Sequence, residues 1–229
     1  VDDALVQYYV APAGVHADGA LALLAARAAL LGQARWSGRA EYRRWRTVMM
    51  TKVVLEASAS DFERARKLPD ALTMHADGRE ATCDEPGTLL VLPPQPRATV
   101  ESPLGMLRLA RKRRGRAPEP AVGPTLVLVA ADDLGMHGGK LAAQAAHAAL
   151  LAEGAAAHRP TWVAWEQAGA PLALRRATST VLALLAARYP GGTVHDAGFT
   201  QVASGSLTVV AVSPGAEEGS QLLRDLSPW

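Results

Sequence analysis

Cysteine is nearly absent from this chain. A single residue of that kind, Cys83, among 229 excludes an intramolecular disulfide framework and suits a reducing compartment. Its neighbours Asp84 and Glu85 oppose formation of a thiolate, so Cys83 is not read as a nucleophile. Long apolar runs are missing too: none approaches the roughly 18 residues that a membrane span requires. Val1-Asp2-Asp3 carries no signal-peptide pattern, and because the chain does not open on Met its true start is expected to lie upstream. The expectation is a soluble, cytoplasmic protein with no membrane partner. A strong charge of either sign is also lacking. A net charge of +2 with 49% hydrophobic residues excludes disorder for most of the chain, and the length suits one large or two small domains with real cores.

Several chemistries fail on spacing. The histidines show no metal-ligand pattern and no carboxylates cluster with them, so no metal or cofactor is expected. Gly135-Met136-His137-Gly138-Gly139-Lys140-Leu141 is one residue short of a phosphate loop, and Leu141 cannot supply the magnesium-binding hydroxyl. No Gly-x-Ser-x-Gly elbow occurs; Ser204-Gly205-Ser206 lacks that context.

What is present is a duplication. Shifting the second half back by 120 residues superimposes Gly19 on Gly139, Ala28-Ala29-Leu30-Leu31 on Ala148-Ala149-Leu150-Leu151, Trp45 on Trp165, His75 on His195 and Gly78 on Gly198. After a two-residue slip, Gly87–Leu92 matches Gly205–Val210. Each half reads as a strand (Leu5–Val10; Leu126–Ala130), a Gly turn, and a long helix (about 19–33; 139–153). A strand (Lys52–Ala57; Leu172–Ala177), a helix (Ser60–Lys67; Thr180–Arg188) and two closing strands (about 72–76 and 88–92; 192–196 and 207–212) follow. The expected fold class is α/β: two tandem copies of a small layered unit, each a mixed four-stranded sheet with flanking helices. The expected domains are 1–107 and 121–229, joined by a basic Pro/Gly linker at 108–120. That linker, rich in like charges, reads either as a solvated tether or as a segment laid along RNA phosphates. Charge is uneven: residues 1–118 hold 18 basic against 13 acidic side chains, residues 119–229 only 6 against 9.

The halves differ in their polar groups. In the second, Lys140, Gln144 and His147 fall within about 60° on one stripe of an Ala-rich helix, with Lys140 at the end where the macrodipole disfavours a cation. A short polar loop, His195-Asp196-Ala197-Gly198-Phe199-Thr200-Gln201, leads on to a β-branched strand after Ser206. The first half has Ala20, Leu24 and Arg27 at the stripe, Ala76 opposite Asp196, and Glu80 and Ala81 opposite Thr200 and Gln201. It keeps the scaffold landmarks and lacks the polar set.

Together with Trp165-Glu166-Gln167-Ala168-Gly169-Ala170-Pro171, these blocks closely resemble type 2 peptidyl-tRNA hydrolases, the archaeal and eukaryotic kind, over roughly Thr125 to Pro214. The resemblance implies metal-independent cleavage of the ester between peptide and tRNA, with tRNA rather than DNA as partner. Because archaeal members are homodimers, it also implies that two fused copies form a pseudo-dimer within one monomer, with further dimerisation left open. By the same resemblance, Lys140, Asp196, Thr200 and Ser206 are the catalytic candidates, and Gln144, His147, Gly139 and Gln201 line the substrate. Ser206 stands where many members have threonine, keeping a hydroxyl. Phe199 stands where a basic or polar residue is common, removing an RNA contact. Such a reaction needs an aligned water, a group to take or orient its proton, and positive charge at the developing oxyanion. Lys140 can supply the last. Asp196 can be general base or water orienter, since a lysine held against it keeps it ionised and weakens it as a base. The alternative is a tRNA- or ribosome-binding protein without turnover. Arg43, Arg44 and Arg46 in the basic half are the candidate RNA platform, or else a solvated face. His195 and Trp165 recur in the half without the polar set and are read as structural.

Overall fold

The computed structural model describes residues 4–75, 77–81, 88–98, 101–120, 123–198, 201–216 and 220–229. Cys83, Ala76, Phe199 and the catalytic candidate Thr200 lie outside them. The first half comprises β1 (Leu5–Pro12), α1 (Asp18–Trp36), α2 (Ala40–Val48), β2 (Thr51–Ala57), α3 (Ala59–Arg66), β3 (Leu72–Met74), β4 (Leu89–Val91), β5 (Gln95–Pro96) and β6 (Arg108–Leu109). The second comprises β7 (Leu126–Ala131), α4 (Gly138–Ala156), α5 (Pro160–Gln167), β8 (Leu172–Ala177), α6 (Ser179–Arg188), a 3-10 turn at Pro190–Gly192, β9 (Thr193–His195), β10 (Leu207–Val212) and α7 (Gln221–Arg224).

Both sheets are mixed. The second runs β8-β7-β10-β9, and the first runs β3-β4-β1-β2-β6 with β5 also on β1. The central strands are parallel, β1 to β2 (Tyr8 opposite Val53) and β7 to β8 (Leu128 opposite Leu174), while β4 and β10 pair antiparallel with β1 and β7. Every residue of β7, Leu-Val-Leu-Val-Ala-Ala, is buried, as expected of a central strand covered on both faces.

Helices α1 and α4 form the seam between halves. Ala22, Leu23 and Ala26 of α1 pack in the second half's core, and Ala142, Ala146 and Leu150 of α4 pack in the first half's. The two helices run parallel: the N-termini of both touch residues 110–117, and Gln33 near the end of α1 donates to Glu153 near the end of α4. Their alanines let two backbones approach closely while each helix also covers a sheet. That is why both read as apolar nearly all round.

The structure departs from the sequence expectation in four places. The first sheet has six strands where four were expected, because the short strands β5 and β6 add to β1 and β2. Helices α2 and α5 were not expected. Each buries only two side chains, Tyr42 with Trp45 and Trp162 with Trp165, one i,i+3 pair too short to declare a period. Trp45 and Trp165 each donate their indole N–H to the carbonyl six residues on, Thr51 at 3.0 Å and Pro171 at 2.8 Å, setting the entry to β2 and β8. The expected boundary at 107 falls inside the first sheet, because β6 pairs antiparallel with Leu55 and Glu56. Lastly, the connector is not a solvated tether. Ala110 and Ala117 are buried, and its backbone is bonded along its length. The Ala110 N–H donates to Val54 O at 3.0 Å, the Asp18 N–H donates to Arg113 O at 2.9 Å, and the Ala117 N–H donates to Trp229 O at 2.9 Å. Helix N-termini lack internal acceptors for their first amides, and the connector's carbonyls supply them.

Candidate active site

Helix α4 and the loop after β9 meet at the edge of the second sheet where β7 and β8 end. Strands β7 and β9 both reach this edge with their C-terminal ends, since each is antiparallel to β10. The turn from β7 into α4 is fixed by the Asp132 N–H donating to Ala177 O, and by Asp133 accepting from the Ser179 amide and hydroxyl. Those bonds from Ser179 also hold the Asp133 carboxyl below its ordinary range. His137, the residue before α4, makes no side-chain cap. Its own amide donates instead to Gln201 Oε1 at 3.2 Å, tying the start of the helix to the far loop.

Asp196 is the centre of the arrangement. Its amide donates to Ser206 O at 2.9 Å, and the Gly205 amide donates to its carbonyl at 2.7 Å, so the loop closes on the aspartate's backbone. The carboxylate is nearly fully buried, with a side chain 3% exposed. Lys140 Nζ and Gln144 Nε2 both donate to Oδ2, and the Gly198 amide donates to Oδ1 at 2.7 Å. Gly198, at φ +83, could not carry a Cβ, which would meet Ser204 N at 2.9 Å. A buried carboxylate needs a cation and hydrogen bonds together, and here it has both. Lys140 sits in the first turn of α4, a position that disfavours a cation; Asp196 compensates it.

The other sequence candidates are spread around this pair. Ser206 is half-buried beside Asp196, and its hydroxyl makes no hydrogen bond among the described residues. Gln201 is exposed and engaged with His137. Gly139 faces the other half. Its amide donates to Ala110 O at 3.2 Å, and a Cβ there would lie 3.0 Å from Val54 O. His147 is not brought to Asp196. It lies in the seam, where burial first, then the cations Lys52 and Arg46, pull its pKa from 6.5 down to about 3, leaving a neutral imidazole. Arg27, at the matching place on α1, likewise crosses the seam, donating to Gly169 O at 3.0 Å and Ala170 O at 2.7 Å. His195 is exposed, its Nδ1 3.1 Å from Gly205 O. Among the described residues no three of His, Cys, Asp and Glu converge as a metal site would require.

Arg46, offered with Arg43 and Arg44 as an RNA platform, is instead half-buried in the seam against Glu153 and Leu150 O, at 3.4 and 3.2 Å. Glu153 is 13 residues along α4 from Lys140, about 20 Å of helix, so this cluster stands at the far end from the site. The element that sequence reasoning missed at the near end is the connector. A Cβ on Gly138, at φ +52, would lie 2.6 Å from Ala110 O and 2.7 Å from Arg111 O. The charge run itself was visible; nothing local to it shows where it docks.

A buried Asp196 gripped by Lys140 and Gln144 is the observation that gives the comparison with known proteins its weight. Residues 125–226 match the family model described as Peptidyl-tRNA hydrolase PTH2. The chain is also 47% identical over 98 residues to "Probable peptidyl-tRNA hydrolase 2" of Schizosaccharomyces pombe, covering 39% of this chain and 48% of that protein. Against "Peptidyl-tRNA hydrolase 2, mitochondrial" of Homo sapiens it is 43% identical over 98 residues, covering 39% and 55%. The mouse protein of the same description is 40% identical over 101 residues, covering 41% and 56%. The chain spans about half the length of the curated relatives it matches. Lys140, Gln144, Asp196 and Ser206 fall inside the matched segment; the connector and the first half fall outside it.

Proposed function

We propose that this chain cleaves the ester bond between a peptide and the terminal ribose of tRNA, at a single site in its second half. The observation carrying this reading is the convergence of Lys140 and Gln144 on buried Asp196, inside a segment similar to proteins described as peptidyl-tRNA hydrolase 2. In the proposed reaction a water oxygen attacks the ester carbonyl and the bond to the ribose oxygen breaks. One of the water's protons ends on that oxygen and the other passes to solvent, releasing tRNA with a free hydroxyl and a peptide carboxylate. Lys140 would stabilise the oxyanion. Asp196 has donors on both oxygens, which favours holding Lys140 and orienting water over taking a proton. Ser206 and Thr200 would hold the water or a substrate oxygen, and Gln201 would order the loop. No metal or cofactor enters the scheme.

The first half is proposed to be a degenerate second copy, the whole forming a pseudo-dimer in one polypeptide. The shared strand order, the matching Trp45 and Trp165 bonds and the parallel α1–α4 seam support it. In that copy Ala20 replaces Lys140, and the N-terminus of α1 is taken up by the connector. Among the described residues no helix is long and apolar enough to cross a membrane; a cytoplasmic location is proposed, and recovery of the tagged full chain in mitochondria would overturn it.

The test is release of free tRNA from an N-blocked aminoacyl-tRNA by the full chain, beside Lys140→Ala and Asp196→Asn. Cleavage by the wild type and its loss in both variants is the expected result. An inert wild type that still binds tRNA would overturn the hydrolase in favour of a binding protein on the same scaffold.

A further inference from the structure

The site half is short of cations for an RNA substrate. Of its six basic residues, Lys140 is held by Asp196 and Arg175 by Glu119. Arg176 donates to Pro228 O and lies over the Trp229 ring. Arg188 sits on Tyr189 and Arg224 on Gln221. Arg159 precedes α5, beyond the far end of α4. Yet a substrate whose ester is on the terminal ribose must bring its nearest phosphates to the mouth of the site, and phosphate contacts supply most of the affinity in such complexes.

The connector places charge at that mouth. Its carbonyls at Ala110 and Arg111 press against Gly138, two residues or ~3 Å of helix rise before Lys140. From there it crosses to α1, where the Arg113 amide donates to Asp18 Oδ1 at 2.8 Å and Arg113 O accepts from the Asp18 amide. Arg113 also faces Glu56 at 3.5 Å. All these anchors use backbone groups, alanine methyls and Arg113 alone. Arg111, Lys112 and Arg114 are left exposed, and among the described residues none of the three is paired with a carboxylate. Arg116 is different, lining an open cleft with Asp132 and Arg176. Three like charges in a short, pinned segment repel one another, an arrangement that an anionic partner relieves.

We propose that Arg111, Lys112 and Arg114 hold the phosphates next to the terminal ribose of tRNA as it enters the Lys140–Asp196 site. Substrate grip then comes from the connector between the halves, a segment outside the region of family similarity. This rests on the hydrolase reading, and the two can fail separately.

The experiment uses the full chain carrying Arg111→Gln, Lys112→Gln and Arg114→Gln together. Its companion is Arg43→Gln with Arg44→Gln, which removes charge at the far end of the seam. KM and kcat are measured on N-blocked aminoacyl-tRNA and on an N-blocked aminoacyl-adenosine ester without phosphates, and tRNA binding is measured from 50 to 300 mM salt. The connector variant should raise KM for the tRNA substrate ~10- to 100-fold with kcat little changed. It should also flatten the slope of log K against log salt by about 2 to 3, one per phosphate contact. Kinetics on the phosphate-free ester should not move. Unchanged KM and salt slope would overturn the proposal. So would an equal loss on the phosphate-free ester, which would mean that the variant disturbs the site's structure, or an equal loss in the Arg43/Arg44 variant. Wild-type affinity for polyglutamate equal to that for tRNA would also overturn it, reassigning the ridge to an acidic protein. If the wild type binds tRNA without cleaving it, loss of binding in the connector variant still supports the ridge while the hydrolase reading falls.

Discussion

Replacing Lys140 by Met tests whether the Lys140–Asp196 pair organises the site or merely decorates it. The lysine side chain is 11% exposed and the aspartate's 3%, so solvent does little to screen the survivor of a broken pair. Removing one partner of a buried ion pair costs about 3–5 kcal/mol. Here Asp196 keeps Gln144 Nε2 and the Gly198 amide, which places the cost near 3 kcal/mol. Relief of a cation in the first turn of α4 returns about 0.5 kcal/mol. The expected loss of stability is thus about 2–3 kcal/mol, read as a shift of the urea midpoint at constant slope. Asp196→Asn should cost a similar amount by stranding the lysine. The double variant should be more stable than the sum of the two, with a coupling of about 1–3 kcal/mol. Ester cleavage should fall on the order of 100- to 1,000-fold in either single variant if Lys140 serves the oxyanion. Additive losses, or a loss below about 0.5 kcal/mol in Lys140→Met, would refute the reasoning, since the pair would then be screened and loose.

Other expectations follow from single features. His147 has its pKa drawn down from 6.5 to about 3, so the unfolded chain binds the extra proton between those values. Its contribution to stability is complete above pH 6.5 and lost as pH falls toward 3, by up to about 1.4 kcal/mol per unit. His147→Asn should therefore show a shallower acid limb than the wild type in denaturation measured between pH 6.5 and 4, and an identical slope would reject the buried neutral imidazole. Gly138→Ala combines a positive φ with contact against Ala110 O and Arg111 O. It should cost on the order of 2–3 kcal/mol or unseat the connector, seen as rapid cleavage by trypsin after Arg111 to Arg116. A variant as stable and as resistant as the wild type would mean that the connector does not press on α4.

Much of the architecture was legible from residue order. The 120-residue register predicted two sheets of one design, and both have the same central order of four strands. The i,i+4 spacing of Lys140 and Gln144 put both on one stripe, and both reach the same oxygen of Asp196. Helices α2 and α5 stayed hidden because two buried aromatics among charged or ordinary residues make no period. His147 shares the stripe but belongs to the seam. Residues two turns apart on one helix face are separated by about 10 Å along the axis and so meet different neighbours, here Asp196 at one end and Lys52 with Arg46 further on.

The sequence by itself determined which half carries the polar set, the strand and long-helix order, and the presence of a basic connector, because those depend on composition and local periodicity. Only the tertiary structure decided that α1 and α4 each complete the other half's core and that Arg46 turns into the seam between them. It alone decided that the connector is seated across both helix N-termini beside Lys140. These depend on which backbone amides lack acceptors and which small side chains admit a neighbour, and both are settled only when the two halves close on each other.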